Sequence, residues 1–333
     1  MNRIVIKSYL ICSIIMTSIH LGGVINAKYA GDFVSIGVGG RPLGMGGSYV
    51  AVAEDVTSIY WNPAGLVLME SYQIHGMHSE RFSGAVNWDF IGMGVPLDNK
   101  NAVGFGVFRL GVDNIPFTRL RDPSRPIGEY YQDEDGTWLQ NVPYVYKYIN
   151  DSEWMFTFSF SRKRSERVLL GASVKVIHKN MGSYRAWGLG FDFGIILNPY
   201  RSLRLGMVLM DATSTLVAWN GGRKEIIAPH IKAGIAYPLR LSDISILPTI
   251  DIHMSFENQG SAAQMSLGRA EWNISSGIEA LFKDRFAIRF GQDRGDLTAG
   301  IGLRIDPIIV DYCFSHHFDL GNTHRISMTI FWS

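Results

Sequence analysis

Apolar and polar residues alternate from residue 70 to the C-terminus in blocks of about ten residues, as in strands that cross a membrane in a β-barrel. In the block 187–197, every second residue is large and apolar, whereas the positions between are mostly glycine with one aspartate. The block 297–305 is divided in the same way. Since successive side chains of a strand point to opposite faces, each block predicts a strand with one apolar face.

The number of blocks and the spacing between them predict the topology. We count fourteen blocks, an even number as in bacterial single-chain barrels. The predicted strands begin near Tyr72, Ser83, Ala102, Glu153, Val168, Trp187, Leu203, His230, Ile244, Ala270, Arg285, Leu297, Ile308 and His324. Every long connection follows an odd-numbered strand, namely 112–152, 211–229 and 255–269. We therefore predict short periplasmic turns at one end of the barrel and long outer loops at the other.

A two-sheet exported β-sandwich is the alternative, because its strands also alternate. Two features favour the barrel: the blocks exceed the five or six residues that are usual for a strand, and aromatic residues lie near block ends, where interfacial girdles occur. These aromatic residues are Tyr72, Trp88, Trp154, Trp187, Tyr237, Trp272, Phe282 and Trp332. The last strand resembles the aromatic C-terminal signal of outer-membrane barrels, although Ser333 stands where phenylalanine is usual. We predict an all-β fold, a transmembrane antiparallel β-barrel of about 14 strands over residues 70–333.

The N-terminus has the features of a secretory signal peptide. Arg3 and Lys7 make a basic start, residues 9–21 are mostly apolar, and Ala27 is a small residue suited to cleavage. The apolar core is too short for a membrane anchor, so residues 1–27 are predicted to be removed on export. Together with a barrel, this predicts the outer membrane of a Gram-negative-type bacterium.

Composition narrows the function further. Without the signal peptide, 29 basic residues remain against 30 acidic ones, and this net charge of −1 gives no argument for nucleic acid as a partner. Cys313 is then the one cysteine, so an intrachain disulfide is excluded. No later apolar run reaches the roughly 18 residues of a membrane-spanning helix. No residue pattern indicates a cofactor or a metal site.

Between the signal peptide and the first strand lies the glycine-rich stretch GGRPLGMGGSYVAVAEDVTSIYWNPAGL, residues 39–66. A phosphate-binding loop would need lysine where Met45 follows Gly44, and no βαβ pattern accompanies the glycines, so nucleotide binding is excluded. The stretch instead predicts a compact plug inside the barrel. We expect a short strand over 48–53 and a helical turn capped by Asp55 that ends before Pro63.

Residues 41–66 resemble the N-terminal hatch of the FadL superfamily of outer-membrane transporters, and more narrowly its PorV/PorQ branch. The residues that match the hatch motif are Arg41, Gly44, Gly46, Gly47, Asn62, Pro63 and Ala64. The resemblance implies a fourteen-stranded barrel with an N-terminal hatch, here residues 28–69. The long loops that gather fatty acids in FadL proteins are not recognisable in this chain.

What the resemblance implies about function depends on the branch. A PorV-like protein would assist type IX secretion and contact secretion-machinery proteins or secreted cargo, and we favour this hypothesis. A FadL-like protein would take up hydrophobic small molecules through the lumen. In either case the aromatic-rich connection 112–152 is the candidate for cargo contact, unless its side chains pack against the barrel rim. The residues that we single out there are Ile115, Phe117, Leu120, Tyr130, Tyr131 and Trp138.

Two further hypotheses concern polar residues. An outer-membrane hydrolase could use the cluster Ser315, His316, His317, Asp319 and His324. A catalytic triad needs a fixed geometry, however, and adjacent residues of a strand point to opposite faces. We therefore favour a solvated loop for this cluster and predict that the protein is not an enzyme. A simple diffusion pore would be lined by inward charges, which we expect to brace the lumen and plug instead. These candidates are Lys175, Asp192, Arg204, Lys232, Asp251, Arg289, Arg304 and Asp311.

Overall fold

The computed structural model describes residues 32–81, 84–200, 202–256, 264–267, 270–317 and 321–333. Nearly all strands belong to a single antiparallel sheet. The strands are β1 (Tyr72–Arg81), β2 (Val86–Asp98), β3 (Asn101–Arg119), β4 (Tyr130–Gln132), β5 (Trp138–Gln140), β6 (Tyr144–Ser165), β7 (Val168–Met181), β8 (Tyr184–Tyr200), β9 (Leu203–Met210), β10 (Thr215–Trp219), β11 (Lys224–Ile227), β12 (His230–Ala236), β13 (Leu239–Leu241), β14 (Ile244–Ser255), β15 (Met265–Leu267), β16 (Ala270–Phe282), β17 (Phe286–Asp293), β18 (Asp296–Ile305), β19 (Ile308–His317) and β20 (Gly321–Trp332).

Fourteen of these strands form a closed ring, which confirms the predicted barrel. The ring runs β1, β2, β3, β6, β7, β8, β9, β12, β14, β16, β17, β18, β19 and β20. It closes because β20 pairs with β1, from Tyr72 opposite Trp332 to Glu80 opposite His324. A sheet that returns to its first strand has no open edges, so the two-sheet sandwich is excluded. The short strands β10, β11, β13 and β15 extend this sheet at its rims.

The two faces of the ring follow the alternation in the sequence. On β8, Trp187, Leu189 and Phe193 are exposed on the outer surface, whereas Asp192 and the glycines between them are buried inside. Aromatic rings gather near the strand ends on the outer surface: Tyr72 stacks on Trp332 with 5.8 Å between ring centroids. An apolar outer band with aromatic ends is the surface that an outer-membrane barrel presents to lipid.

The N-terminal segment, residues 32–69, lies inside the ring and contains four short helical pieces rather than strands. These pieces are Asp32–Ser35, Gly40–Gly44, Ser58–Trp61 and Pro63–Leu68. The predicted strand over 48–53 is therefore wrong, because the amides of Tyr49 and Val50 donate to the Asp251 carboxylate instead of to another strand. The predicted cap differs as well: the helix begins at Ser58 with Thr57 as its N-cap and no side-chain capping bond, and Asp55 Oδ1 accepts from the Thr57 amide at 2.8 Å in the turn before it.

The connection between β3 and β6, which we predicted as a loop over 112–152, is mostly strand in the structure. Strand β3 continues to Arg119 and β6 begins at Tyr144, so the two strands stay paired beyond the barrel, while β4 and β5 form a separate hairpin at the tip. We name residues 113–150 the outer arm. Two register shifts, after Val112 and after Phe117, change which residues share a face, and this interrupts the alternation that the strand prediction used.

Several predictions fall wholly or partly outside the described ranges: the signal peptide over 1–27, the first four residues of the hatch over 28–69, the start of the second strand near Ser83, and Asp319 with the side chain of His317. The signal peptide therefore stays a prediction. No helix in the described part of the chain has the length and apolarity needed to span a membrane.

Candidate functional site

Asn62 joins the N-terminal segment to itself and to the barrel wall. Its side chain is fully buried, and Nδ2 donates to the carbonyl oxygens of Val50 at 2.9 Å and Ile195 at 3.2 Å. Its Oδ1 accepts from the Ala64 amide at 3.2 Å. Both N–H groups and one oxygen lone pair of the amide are thus used on the backbone, so Asn62 fixes where the segment meets β8.

Pro63 and Ala64 lie directly against glycines of the wall. A Cβ atom at Gly171 would collide with the Ala64 amide, and one at Gly194 would collide with Asn62 Oδ1. From β6, the Ser161 hydroxyl donates to the Ala64 carbonyl at 2.8 Å. The predicted motif therefore fits a recess that small residues of β7 and β8 leave open.

The glycines of the motif allow the same close approach on the opposite wall. Gly46 and Gly47 have φ values of 65° and 71°, a region that other residues rarely adopt. A Cβ at Gly46 would collide with the Gln292 backbone of β17, and one at Gly44 would lie 3.1 Å from the Gly300 Cα of β18. Glycine at these positions lets the segment follow the wall without side chains between them.

Arg41 forms ion pairs that tie the segment to the part of the wall near the periplasmic turns. Its guanidinium donates to both carboxylate oxygens of Glu279, at 3.0 and 2.9 Å, and to Glu54 at 3.2 Å. Glu54 accepts from Arg204 of β9 at 2.8 Å, and Arg289 of β17 donates to Glu279 at 2.6 Å. Paired arginine–carboxylate bonds of this geometry are directional as well as attractive, so they set the position of the segment.

The remaining inward charges that we predicted mostly have partners in the wall. Lys175 lies 2.8 Å from Asp192 and 2.9 Å from Asp211, and Arg289 donates to Asp311 at 2.7 Å. Arg304 differs, because it is exposed at the barrel end and pairs with Asp306. The charges form local pairs and brace the segment, as expected, and they do not line an open pore in the described part of the lumen.

An apolar wall faces these charges across the lumen. The inward side chains of Trp88, Phe90 and Phe108, on β2 and β3, are buried against Ile59 and Tyr60 of the segment. Phe90 and Phe108 lie 4.7 Å apart between ring centroids, and Tyr60 lies 5.8 Å from Phe108. A barrel lumen is ordinarily polar, so this wall is unusual. Sequence reasoning missed it, although the apolar residues on both faces of 88–95 were a visible signal. The prediction that Trp88 lies in an interfacial girdle is wrong, because its side chain is fully buried inside the ring, where it donates to the Gly37 carbonyl.

A small cavity lies between the segment and the wall. In the described part of the chain, a cavity of about 40 Å³ lies beside Trp61, Lys232, Asp251, His253 and Asn273. A single water needs roughly 10–15 Å³ measured in this way, so the cavity accommodates a few waters and no aromatic ring. In this conformation the cavity is therefore too small for an aromatic cargo molecule.

The outer arm carries the predicted cargo-contact residues, and it does not gather them. We name residues 113–121 and 142–150, the outer parts of β3 and β6 with the residues next to them, the stem of the arm. Ile115, Phe117 and Leu120 belong to this stem, whereas Tyr130, Tyr131 and Trp138 belong to the hairpin of β4 and β5 at the tip. Tyr130 and Trp138 are each 65% exposed, so they do not pack against the barrel rim.

The tip of the arm also contains its own charge pairs. Asp122 accepts from Arg125 at 2.9 Å, and Arg125 donates to Glu129 at 3.2 Å. Hydrogen bonds from Ser124 lower the pKa of the Asp122 carboxyl, which keeps it ionised opposite Arg125.

The described part of the histidine-rich cluster lacks the arrangement of a hydrolase. Ser315 Oγ accepts from Arg325 at 2.9 Å, whereas His316 contacts Asn322 and His324 contacts the Tyr312 hydroxyl. A catalytic serine needs a base within hydrogen-bond reach, and neither described histidine side chain contacts Ser315.

Comparison with solved structures places this geometry among known barrels. The toluene transporter TbuX of Ralstonia pickettii aligns with 89% of this chain and 99% of its own, with 13% identity and a TM-score of 0.56. The CymD monoaromatic hydrocarbon channel aligns with 89% of this chain and 98% of its own, with 14% identity and a TM-score of 0.59. The fold is that of FadL-type outer-membrane barrels.

A FadL homologue from Pseudomonas aeruginosa has the same FadL-type fold, with a TM-score of 0.52 at 12% identity over 88% of this chain and 98% of its own. No family model matches the chain, and no curated protein matches it. Identities this low show the fold and not the cargo. The FadL-type fold supports an outer-membrane location.

Proposed function

We propose that this protein is an outer-membrane channel for small hydrophobic molecules and that residues 28–69 act as its hatch. The observation that carries the proposal is the apolar wall of Trp88, Phe90 and Phe108 inside a barrel. Apolar side chains facing a lumen stabilise an apolar molecule that enters it, because both leave water on contact. The proposal agrees with the descriptions of TbuX as a toluene transporter and of CymD as a monoaromatic hydrocarbon channel.

The way the segment is held supports a hatch that moves as a unit. On the apolar wall the segment is held by van der Waals contacts of Ile59 and Tyr60 and by one hydrogen bond, from Trp88 Nε1 to the Gly37 carbonyl at 2.8 Å. On the opposite wall, Arg41 forms ion pairs and Asp251 accepts from two backbone amides of the segment. An apolar molecule can replace the apolar contacts with contacts of its own at little cost. It cannot replace the ion pairs. We therefore propose that cargo passes between the segment and the apolar wall.

The secretion role rests on the sequence resemblance to the PorV branch, and the structural neighbours described above favour uptake instead. A gene deletion in the native bacterium separates the two. If the protein is the proposed channel, we expect the deletion strain to take up toluene more slowly and to release secreted proteins normally. The wild-type gene should restore toluene uptake. Normal toluene uptake together with lost secretion would reject the channel and support the secretion role.

A matched pair of variants tests the apolar wall within the same experiment. Phe108→Gln places an amide on the inner wall of β3, whereas Phe105→Gln places one on the outer surface of the same strand. We expect Phe108→Gln to change the rate of toluene uptake and Phe105→Gln to leave it near wild type. Uptake of arabinose, a polar solute, should stay low throughout. Equal toluene rates for both variants would contradict the route along the wall.

A further inference from the structure

The outer arm carries three cationic side chains that each lie over an aromatic ring. Arg119 lies over the Tyr146 ring with 4.1 Å from Cζ to the ring centroid, Lys147 lies 5.2 Å from the Phe117 centroid, and Arg121 is stacked on a tyrosine in the same way. A cation over a ring face is held in place while its N–H groups still point to solvent. We name Arg119, Arg121 and Lys147 the arm cations.

The arm cations lack acidic partners. Within the described ranges, no carboxylate lies within 4.0 Å of Arg119, Arg121 or Lys147, whereas Arg125 at the tip of the same arm pairs with two carboxylates. Exposed cations at the opposite end of the described barrel are of both kinds: Arg240 pairs with Asp284, whereas no carboxylate lies within 4.0 Å of Lys283 or Arg285. The stem of the arm is thus a positive surface whose hydrogen-bond donors are free to bind an anion.

The height of this surface above the membrane follows from the strand register. Asp89 of β2 and Arg109 of β3 form an ion pair at 3.2 Å. Their neighbours Trp88 and Phe108 face inward, and because successive strand residues alternate, the ion pair faces outward. Charges on the outer face are tolerated near the interface, and the pair therefore marks the outer boundary of the lipid. Arg119 follows Arg109 by ten residues, or about 33 Å along the strand at ~3.3 Å per residue.

A strand tilted by about 40° rises roughly 25 Å over that length, which places the arm cations above the acyl chains, at the level of saccharide head groups. The aromatic residues beside them suit the same layer. Tyr144 is 43% and Tyr148 63% exposed, and the flat face of an aromatic ring packs well against the apolar face of a sugar ring. Charge, height and aromatic residues all fit one partner, a sugar that carries phosphate.

We propose that the stem of the outer arm binds the phosphorylated saccharide of an outer-leaflet glycolipid through Arg119, Arg121 and Lys147. Arginine and lysine are the usual donors to phosphate, and the stacked rings hold them before binding, which reduces the entropy lost on contact. The surface is continuous with the lipid-facing band, since β3 and β6 form both. Binding there would orient the tip hairpin at the cell surface.

The test uses the full-length protein in detergent micelles with purified lipopolysaccharide whose core carries phosphate, and the same material after enzymatic removal of phosphate. The variant is Arg119→Gln/Arg121→Gln/Lys147→Gln. The control is Arg240→Gln/Lys283→Gln/Arg285→Gln, which removes three exposed cations at the periplasmic turns. Heat-modifiability on a gel verifies that each barrel is folded, and titration measures the dissociation constant.

We expect the wild type and the control to bind phosphorylated lipopolysaccharide equally, and the arm variant to bind about 100-fold more weakly, at roughly fivefold per cation. Removing the phosphate should weaken wild-type binding by a similar factor. Equal affinity of the arm variant and the wild type would overturn the proposal. So would a protein that crosslinks to the arm in cells while lipopolysaccharide binding stays unchanged in the variant.

Discussion

Replacing Asn62 with alanine tests whether the N-terminal segment is a separately held hatch. The substitution removes three hydrogen bonds, to the carbonyl oxygens of Val50 and Ile195 and from the Ala64 amide, and leaves these groups buried. It removes no strand pairing, because the Asn62 side chain bonds the Ile195 carbonyl of β8 but is not part of any hydrogen bond between two strands. The effect should therefore fall on the segment and not on the barrel.

The magnitude follows from the count of lost bonds. A buried hydrogen bond contributes about 1 kcal/mol net, so Asn62→Ala should raise the free energy of the seated segment by about 3 kcal/mol relative to a released segment that has also lost its own fold. The bond to Ile195 joins the segment to the wall, and the other two lie within the segment. At roughly 1.4 kcal/mol per factor of ten, the released population increases about 100-fold. The amides of Tyr49 and Val50, which donate to Asp251, become available to solvent each time the segment leaves the wall.

Hydrogen exchange followed by mass spectrometry measures this opening directly. Peptides from 40–66 should exchange about 100-fold faster in the variant, whereas peptides from the barrel strands should exchange as in the wild type. Asn101→Ala is the matched control, because the Asn101 amide bonds only Asp98 on an exposed turn. It should change neither region.

Exchange of 40–66 that stays within a factor of three of wild type, in a correctly folded barrel, would refute the reasoning. It would mean that the segment opens only when the whole protein unfolds. Equal acceleration in the segment and in the strands would refute it as well, since the segment and the barrel would then be one cooperative unit.

Three further predictions concern the wall. Arg41→Met should destabilise the seated segment by about 2–3 kcal/mol, because it leaves buried Glu279 with fewer partners, and should increase conductance in planar bilayers. Arg240→Met, on an exposed turn, should not change the conductance. Gly194→Val should displace the segment and increase conductance, whereas Gly76→Val should not, because a Cβ at Gly76 meets nothing within 4 Å. Phe193→Arg, on the lipid-facing surface, should destabilise the barrel by about 2–4 kcal/mol in a urea titration.

Each of these has a result that contradicts it. Wild-type conductance in Arg41→Met would show that the ion pairs do not hold the segment. Similar currents in Gly194→Val and Gly76→Val would mean that the close contact between Gly194 and Asn62 does not hold the segment in the lumen. Unchanged stability of Phe193→Arg would contradict the assignment of that face to lipid.

Much of the barrel could be predicted because its rule is local. Alternation with a period of two predicted the start of β7 at Val168 and of β14 at Ile244 at the residues where the structure begins them. The prediction was weakest for β6, which begins at Tyr144 and not near Glu153. The two register shifts between β3 and β6 change which side chains point inward and which point outward. A prediction that assumes regular alternation therefore fails beyond them.

The candidate site could be predicted only in part. The motif residues could be singled out because glycine, asparagine and proline at 41–64 carry their backbone requirements in the sequence, and their role as a hatch stays a prediction. The apolar wall and the arm cations were not found. Phe108 and Tyr60 are far apart in sequence, and so are Arg119 and Tyr146, so their contacts exist only once the strands are paired.

The sequence by itself determined that this chain forms strands with one apolar face, that they number fourteen, and that a glycine-rich segment precedes them, because these properties depend on neighbouring residues along one strand. Only the tertiary structure decided that the lumen has an apolar wall opposite a charged one. Which inward side chains face one another depends on ring closure, register and the path of the enclosed segment, and these are set by contacts between residues distant in the chain.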